Sequence, residues 1–182
     1  MMGSMTEGGA EVDLAEFVRD IPDFPKKGIV FKDITPLIGD PAALAEAVRR
    51  MADPWRHKKI TRVVGAEARG FIFGPAVAIE LAAGFAPLRK PGKLPYRTKA
   101  VTYALEYGTD TLCIHEDAIG PRDNVLLLDD LLATGGTMAG ACELVRDLGA
   151  KIVGISFLVE LDFLQGRKRL PVGIPVESVI HV

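Results

Sequence analysis

Val125-Leu-Leu-Leu-Asp129-Asp130-Leu-Leu-Ala133-Thr134-Gly135-Gly136-Thr137-Met138 is the stretch from which the fold can be read. It runs from an apolar segment through two acids and a loop of small and hydroxyl residues into a helical stripe. In that stripe Met138, Ala141, Cys142, Val145 and Leu148 share one face, and Gly149 supplies the stop. In an open parallel sheet, ligands collect beyond the carboxyl ends of the strands, where this order puts Asp129 and Asp130. Carboxylates accept hydrogen bonds from sugar hydroxyls. The unpaired N–H groups of residues 134–137, at a helix start, favour a phosphate. Either fragment alone also fits a solvated strand end or a tight turn with a cap. In this order they read a sugar and a phosphate side by side.

Working outward, apolar runs and helical stripes alternate. Strands are expected at 62–65, 86–89, 125–129 and 152–161, and helices at 71–82 and 138–148. Alternation of this kind predicts an α/β fold with a parallel sheet core flanked by helices. Residues 100–105 and 111–115, separated by Glu106-Tyr-Gly-Thr-Asp110, predict an inserted β-hairpin. Upstream, Asp13 precedes Leu14, Phe17, Val18 and Ile21 at helical spacing, so a short capped helix is expected there. Residues 22–28 are loop chemistry, a helix capped by Asp40 should run over 41–51, and 176–182 should form a closing edge strand. Residues 1–10 read as a flexible tail and 11–182 as one domain.

With 182 residues, 48% hydrophobic, the chain can bury a full core without metal or disulfide. Its 22 basic and 24 acidic residues argue against a surface built for nucleic acid, and no apolar run is long enough to span a membrane. Cys113 and Cys142 lack any metal or redox spacing and read as buried thiols, which suits the cytoplasm. Among further segments, Val63-Val-Gly65-Ala-Glu67-Ala68-Arg69-Gly70-Phe71 carries a G-x-x-x-x-G skeleton. It lacks the Lys-Ser/Thr pair of a nucleoside-triphosphate loop, and no dinucleotide fingerprint follows a strand. Between residues 82 and 105 stand five cations, Arg89, Lys90 and Lys93 among them, and no acid. Such a run is either a solvated loop or a place for a polyanion. Ile29-Val30-Phe31 alone would read as a core strand, and Glu106 as a solvent-facing hairpin residue. His57, His115 and His181 have no companion spacing and read as surface or packing residues, and Trp55 as a local packing anchor.

The 125–138 stretch closely resembles the phosphoribosyl-pyrophosphate signature of the type I phosphoribosyltransferases, and residues 20–165 are similar to the adenine-using branch of that family. The resemblance implies the type I fold, with a base-binding hood and a hairpin lid. It implies transfer of a 5-phosphoribosyl group from phosphoribosyl pyrophosphate (PRPP) to N9 of adenine, giving AMP and pyrophosphate in purine salvage. By it, PRPP is held by Asp129, Asp130, Ala133, Thr134, Gly135, Gly136 and Thr137, by Ala68 and Arg69 of a pyrophosphate loop, by Arg89, Lys90 and Lys93, and by Tyr107. Ile29, Val30, Lys32 and Leu161 would hold adenine, Val30 through its backbone; Lys32 stands where many relatives carry the forked Arg. Glu106 and Arg69 form the implied catalytic group, Glu106 handling the N7 proton. Mg²⁺ would ride on the diphosphate without a protein ligand cluster, and a homodimer is expected, with no nucleic-acid or membrane partner. Rival readings are a sister transferase for another base such as xanthine, and a non-catalytic PRPP-sensing regulator.

Overall fold

A computed structural model describes residues 12–104 and 108–182, which fall in two compact units, Met1–Glu46 and Ala47–Val182. The expected tail, residues 1–10, lies outside the described residues.

In the first unit Asp13 caps only a single 3-10 turn, Leu14–Phe17, accepting the Ala15 N–H at 3.0 Å. The expected helix through Ile21 is corrected. Residues Arg19–Pro22 form strand β1, paired antiparallel with β2, Val30–Asp33. Val18 and Ile21 are β-branched, and Ile21 precedes Pro22, a position that disfavours helix. Residues 23–29 make the turn between these strands, one residue on from the expected loop at 22–28. Gly28 takes φ +90° there, and its N–H reaches the Asp23 carboxylate at 2.7 Å. A short helix α1, Thr35–Gly39, follows. Asp40 then caps α2, Pro41–Ala52, as expected, accepting from the N–H groups of Ala42 and Ala43 at 2.9 Å each.

The second unit contains β3 (Arg62–Ala66), α3 (Gly70–Glu80), β4 (Gly84–Leu88), β5 (Thr98–Ala104), β6 (Thr109–His115), β7 (Asn124–Leu132), α4 (Gly136–Asp147), β8 (Lys151–Glu160) and β9 (Val176–His181). Five of these strands form one parallel sheet in the order β4-β3-β7-β8-β9, the α/β core read from the alternation. The chain leaves β3 toward β4 and returns on the other side of β3 as β7, so the strand order reverses between β3 and β7. Strands β5 and β6 form the expected antiparallel hairpin. At the β4 edge Pro87 sits within the strand, and just beyond it Arg89 and Cys113 exchange two backbone hydrogen bonds, 2.9 and 2.7 Å.

Val125, Leu126, Leu127 and Leu128 of β7 are all fully buried, as a strand covered on both faces requires. Met138, Ala141, Cys142 and Val145 of α4 are buried as the stripe predicts, and Gly149 ends the helix at φ +77°. Both cysteines are free and buried, and burial pushes the Cys142 thiol up to about 11. Trp55 is buried and lies directly on Gly154 of β8, where any Cβ would collide with its indole ring. Gly154→Ala should therefore cost about 1–3 kcal/mol of stability, the usual penalty for overpacking a core. The measurement is the urea midpoint; an unchanged midpoint would contradict this packing.

Candidate active site

Strand β7 pairs with β3 only as far as Leu128, but with β8 as far as Leu132. Asp129 and Asp130 are thus the sixth and seventh residues of a nine-residue strand rather than a pair beyond its end. On the β3 side, however, they lie past the last paired residue and face the place where the strand order reverses. That is where open α/β sheets bind ligands.

Two glycine-dependent contacts assemble the surroundings. A Cβ at Gly70, the first residue of α3, would lie 2.8 Å from Asp129 Oδ1, so only glycine lets that helix start against the acid. Gly135 takes φ +80°, and a Cβ there would strike the carbonyl of Gly166. The turn containing Gly166 therefore seats directly on the 133–137 loop. That loop and Asp129, with Phe157 and Met138, line a cavity of about 70 Å³.

The acids differ in their partners. Asp129 Oδ1 accepts the Asp130 N–H at 2.9 Å, and the buried Asp130 is paired with Arg69 Nε at 2.8 Å. Burial pushes Asp129 well above the ordinary carboxylate range, and the neighbouring Asp130 charge adds to this. Burial also raises Asp130, against the pull of Arg69. Two crowded carboxylates facing one guanidinium suit hydroxyl donors or a further cation.

Beside them, the Glu67 carboxylate accepts from Arg89 Nε at 3.1 Å, Arg89 Nη2 at 3.2 Å and the Lys90 N–H at 3.0 Å, which hold it below the usual range. Arg89 also lies 6.0 Å from the centre of the Phe71 ring. Lys90 is ion-paired with Asp110 of β6. The acid-free run of cations is therefore not free of acids in space: carboxylates from outside the segment neutralise two of its members. Lys93 and Ala68 are exposed.

In the first unit Ile29 and Val30 are about half exposed, at 46% and 48%, so this apolar run is not the core strand that its composition alone suggests. Phe24 is exposed beside them, edge-on to Phe31 with ring centroids 5.2 Å apart. Lys32 is tied across the hairpin to Asp20 at 2.7 Å. In the second unit Leu161 is buried immediately after β8. Glu106 and Tyr107 lie outside the described residues.

Sequence reasoning missed Tyr103, Asp110, Glu67 and Arg169. Tyr103 packs on Gly140 of α4, and Arg169 Nη2 donates to the Ala104 carbonyl at 3.0 Å. No local pattern carries such long-range pairings, although Gly140 within a helical stripe hints at a close neighbour. His181 is also more than a surface residue. Its Nδ1 lies 2.9 Å from Asp162 and 4.0 Å from Glu160, three groups of metal-ligating type. Arg167 and Ser178 already bind the Glu160 oxygens, so a competing guanidinium stands where a cation would sit. A larger cavity of about 530 Å³, lined by Lys58, Lys59, Asn124 and Lys151 among others, opens at the opposite, amino ends of β7 and β8, away from the carboxylates and the 133–137 loop. Among the described residues no helix is long and apolar enough to cross a membrane.

A family model described as a phosphoribosyl transferase domain matches residues 38–177. Adenine phosphoribosyltransferase of Nitrosococcus oceani is 58% identical over 164 residues, covering 90% of this chain and 95% of that protein. The crystal structure of adenine phosphoribosyltransferase from Rhodothermus marinus aligns with a TM-score of 0.89 at 52% identity, covering 93% of this chain and 96% of that one. The adenine phosphoribosyltransferase of Giardia lamblia, complexed with 9-deazaadenine, aligns with a TM-score of 0.88 at 41% identity, over 93% and 96% of the two chains.

A carboxyl group raised in the folded state costs stability once it must ionise. The cost is absent below the unfolded value near 3.8, grows as pH rises from there toward the raised folded value, and is complete above it. Asp129→Asn should therefore raise the melting temperature of the ligand-free protein at pH 7 by a few degrees, with the gain vanishing near pH 3.5. A lower melting temperature at pH 7 would contradict the assignment of Asp129 as a strained carboxylate.

Proposed function

Because this chain belongs to the phosphoribosyltransferase family, we propose that it is an enzyme of purine salvage that transfers the 5-phosphoribosyl group of PRPP to adenine, giving AMP and pyrophosphate. The observation that carries the site assignment is the meeting of two elements at the reversal of strand order. The acids of β7 lead into a phosphate-type loop at the start of α4, and Gly70 brings the Glu67–Gly70 segment against Asp129.

In this reading the N–H groups and hydroxyls of Thr134, Gly135, Gly136 and Thr137, with Ala133, take the 5′-phosphate. Asp129 and Asp130 accept from the ribose hydroxyls, which relieves their crowding. Ala68, Arg69, Arg89, Lys90 and Lys93 bind the diphosphate, with Tyr107 closing over it. Arg69 serves catalysis by stabilising the charge that accumulates on the departing diphosphate. The hood residues Ile29, Val30 and Lys32, together with Leu161, take adenine. The half-exposed Ile29 and Val30 suit a flat apolar ring, and Pro22, opposite Val30, has no N–H to give the Val30 carbonyl, which suits backbone reading of the base.

The N9 lone pair then forms a bond to the anomeric carbon while the carbon–oxygen bond to diphosphate breaks, the electron pair leaving with the diphosphate. Glu106 takes the N7 proton. The fixed groups act mainly by alignment and by charge stabilisation at the leaving group. The crowded carboxylates Asp129 and Asp130 are hard oxygen donors compatible with Mg²⁺ arriving on the substrate. When bound, the ion supplies charge neutralisation at the diphosphate.

Two copies of the chain are proposed to associate through α3. The helix carries no charge before Glu80, and Ile72 and Ile79 are 41% and 80% exposed on it. A helix apolar on all sides asks for cover. Free buried thiols suit a cytoplasmic setting.

Pyrophosphate release from PRPP with a panel of bases tests the reaction. Adenine should support it and xanthine, hypoxanthine and guanine should not; preference for another base would overturn the assignment. Glu106→Gln should lower kcat by about 10²- to 10⁴-fold, the usual worth of a positioned acid or base. Its PRPP affinity should change little, and an unchanged kcat would remove its proton-handling role.

A further inference from the structure

Lys90 and Thr137 stand at opposite ends of the proposed PRPP site, one for the diphosphate and one for the 5′-phosphate. Two side chains with no assigned part in the reaction run between them. Tyr103 of β5 and Asp110 of β6 are directly opposed in the hairpin. Asp110 holds the Lys90 ammonium and accepts the Tyr103 O–H at 3.2 Å. Tyr103 in turn accepts the Thr137 hydroxyl at a long 3.4 Å. Its ring is fixed: Tyr103 is 8% exposed, and a Cβ on Gly140 would lie 2.9 Å from ring carbon Cδ1.

Every proton in this chain points toward one carboxylate. Thr137 donates to Tyr103, Tyr103 donates to Asp110, and Lys90 donates to Asp110 while also lying within reach of the Tyr103 hydroxyl oxygen. Resting on the proposed function, we propose that Asp110 and Tyr103 are positioning residues that couple the diphosphate cation Lys90 to the phosphate-loop hydroxyl of Thr137, so that neither end of PRPP is bound independently of the other.

The sign of the coupling follows from the chain. A phosphate oxygen needs the Thr137 proton, which Tyr103 holds, and a diphosphate needs the Lys90 charge, which Asp110 holds. While Lys90 neutralises Asp110, the carboxylate draws weakly on Tyr103 and the Thr137 proton is easily surrendered. Without Lys90 the bare carboxylate polarises the Tyr103 hydroxyl more strongly, and a polarised hydroxyl grips its own donor harder. Thr137 is then less available to phosphate. Burial opposes charge on Lys90, yet its contact with Asp110 holds the ammonium above its ordinary value, so the link to be broken is an ionic one.

A double-mutant cycle tests this, with the dissociation constant of PRPP measured by calorimetry on the full chain in the presence of Mg²⁺. Lys90→Ala and Thr137→Val should each weaken binding. Together they should weaken it less than the product of the two, short by about threefold or more, the size seen for residues coupled through one network. Thr137→Ser, which keeps the hydroxyl, should restore near-native affinity. In a Tyr103→Phe background, where the ring still packs on Gly140, the two effects should multiply; Asp110→Asn should do the same and serves if Tyr103→Phe lowers the melting temperature by more than a few degrees. Multiplicative effects in the otherwise unaltered chain, or a shortfall that persists in both backgrounds, would overturn the coupling alone. Failure of the unaltered protein to bind PRPP would overturn the proposed function and this inference with it.

Discussion

The unequal pairing of β7 organises the site. Its hydrogen bonds to β3 stop at Leu128, whereas those to β8 continue to Leu132. Had both ladders ended together, Asp129 and Asp130 would be either sealed inside a sheet or loose in a loop. Instead one side of the strand holds them in a ladder, and on the β3 side no strand pairs with them. The backbone that carries the carboxylates is therefore as fixed as the core, and crowding two acids there costs stability that a fluid loop would not hold.

Glycines convert that constraint into a site. Gly70 allows α3 to begin against Asp129, and Gly135 allows the Gly166 turn to close on the 133–137 loop. Each is a position where a single methyl group would push apart two segments distant in sequence. The cations arrive differently, on the strand end and loop after β4, and they arrive already paired: Arg89 with Glu67, Lys90 with Asp110. A polyanionic ligand entering here exchanges partners with carboxylates instead of meeting bare charges. Such exchange keeps the ligand-free surface from attracting every anion in solution, since part of each cation's field is cancelled before the ligand arrives.

Much of this was legible in the sequence where chemistry is local. The run from Val125 to Met138 announces strand, acids, loop and helix in order, because each part is decided by its own residues and near neighbours. The Asp40 cap and the buried face of α4 were readable for the same reason. Residues 14–21 misled because helical spacing coincides there with β-branched residues and a following proline, and pairing with residues 30–33 decided the outcome. Local apolarity likewise made Ile29 and Val30 look like core, though both are half exposed. Tyr103, Asp110 and Arg169 stayed invisible because what they do depends on partners brought near only by the fold. The roles given to Glu106 and Tyr107 rest on resemblance.

Pro87 carries a consequence for assembly. It occupies the outermost strand of the sheet, where an unprotected edge would offer a row of donors and acceptors to any passing strand. Pro87 has no N–H to offer, and the next residues turn their backbone to Cys113 of the hairpin. The sheet is thus blocked from growing across β4, and it cannot become a continuous ribbon through several copies by that side. Contacts on the β4 side of the sheet are thus left to side chains, which can be altered by substitution without touching the ladder that holds the acids in place.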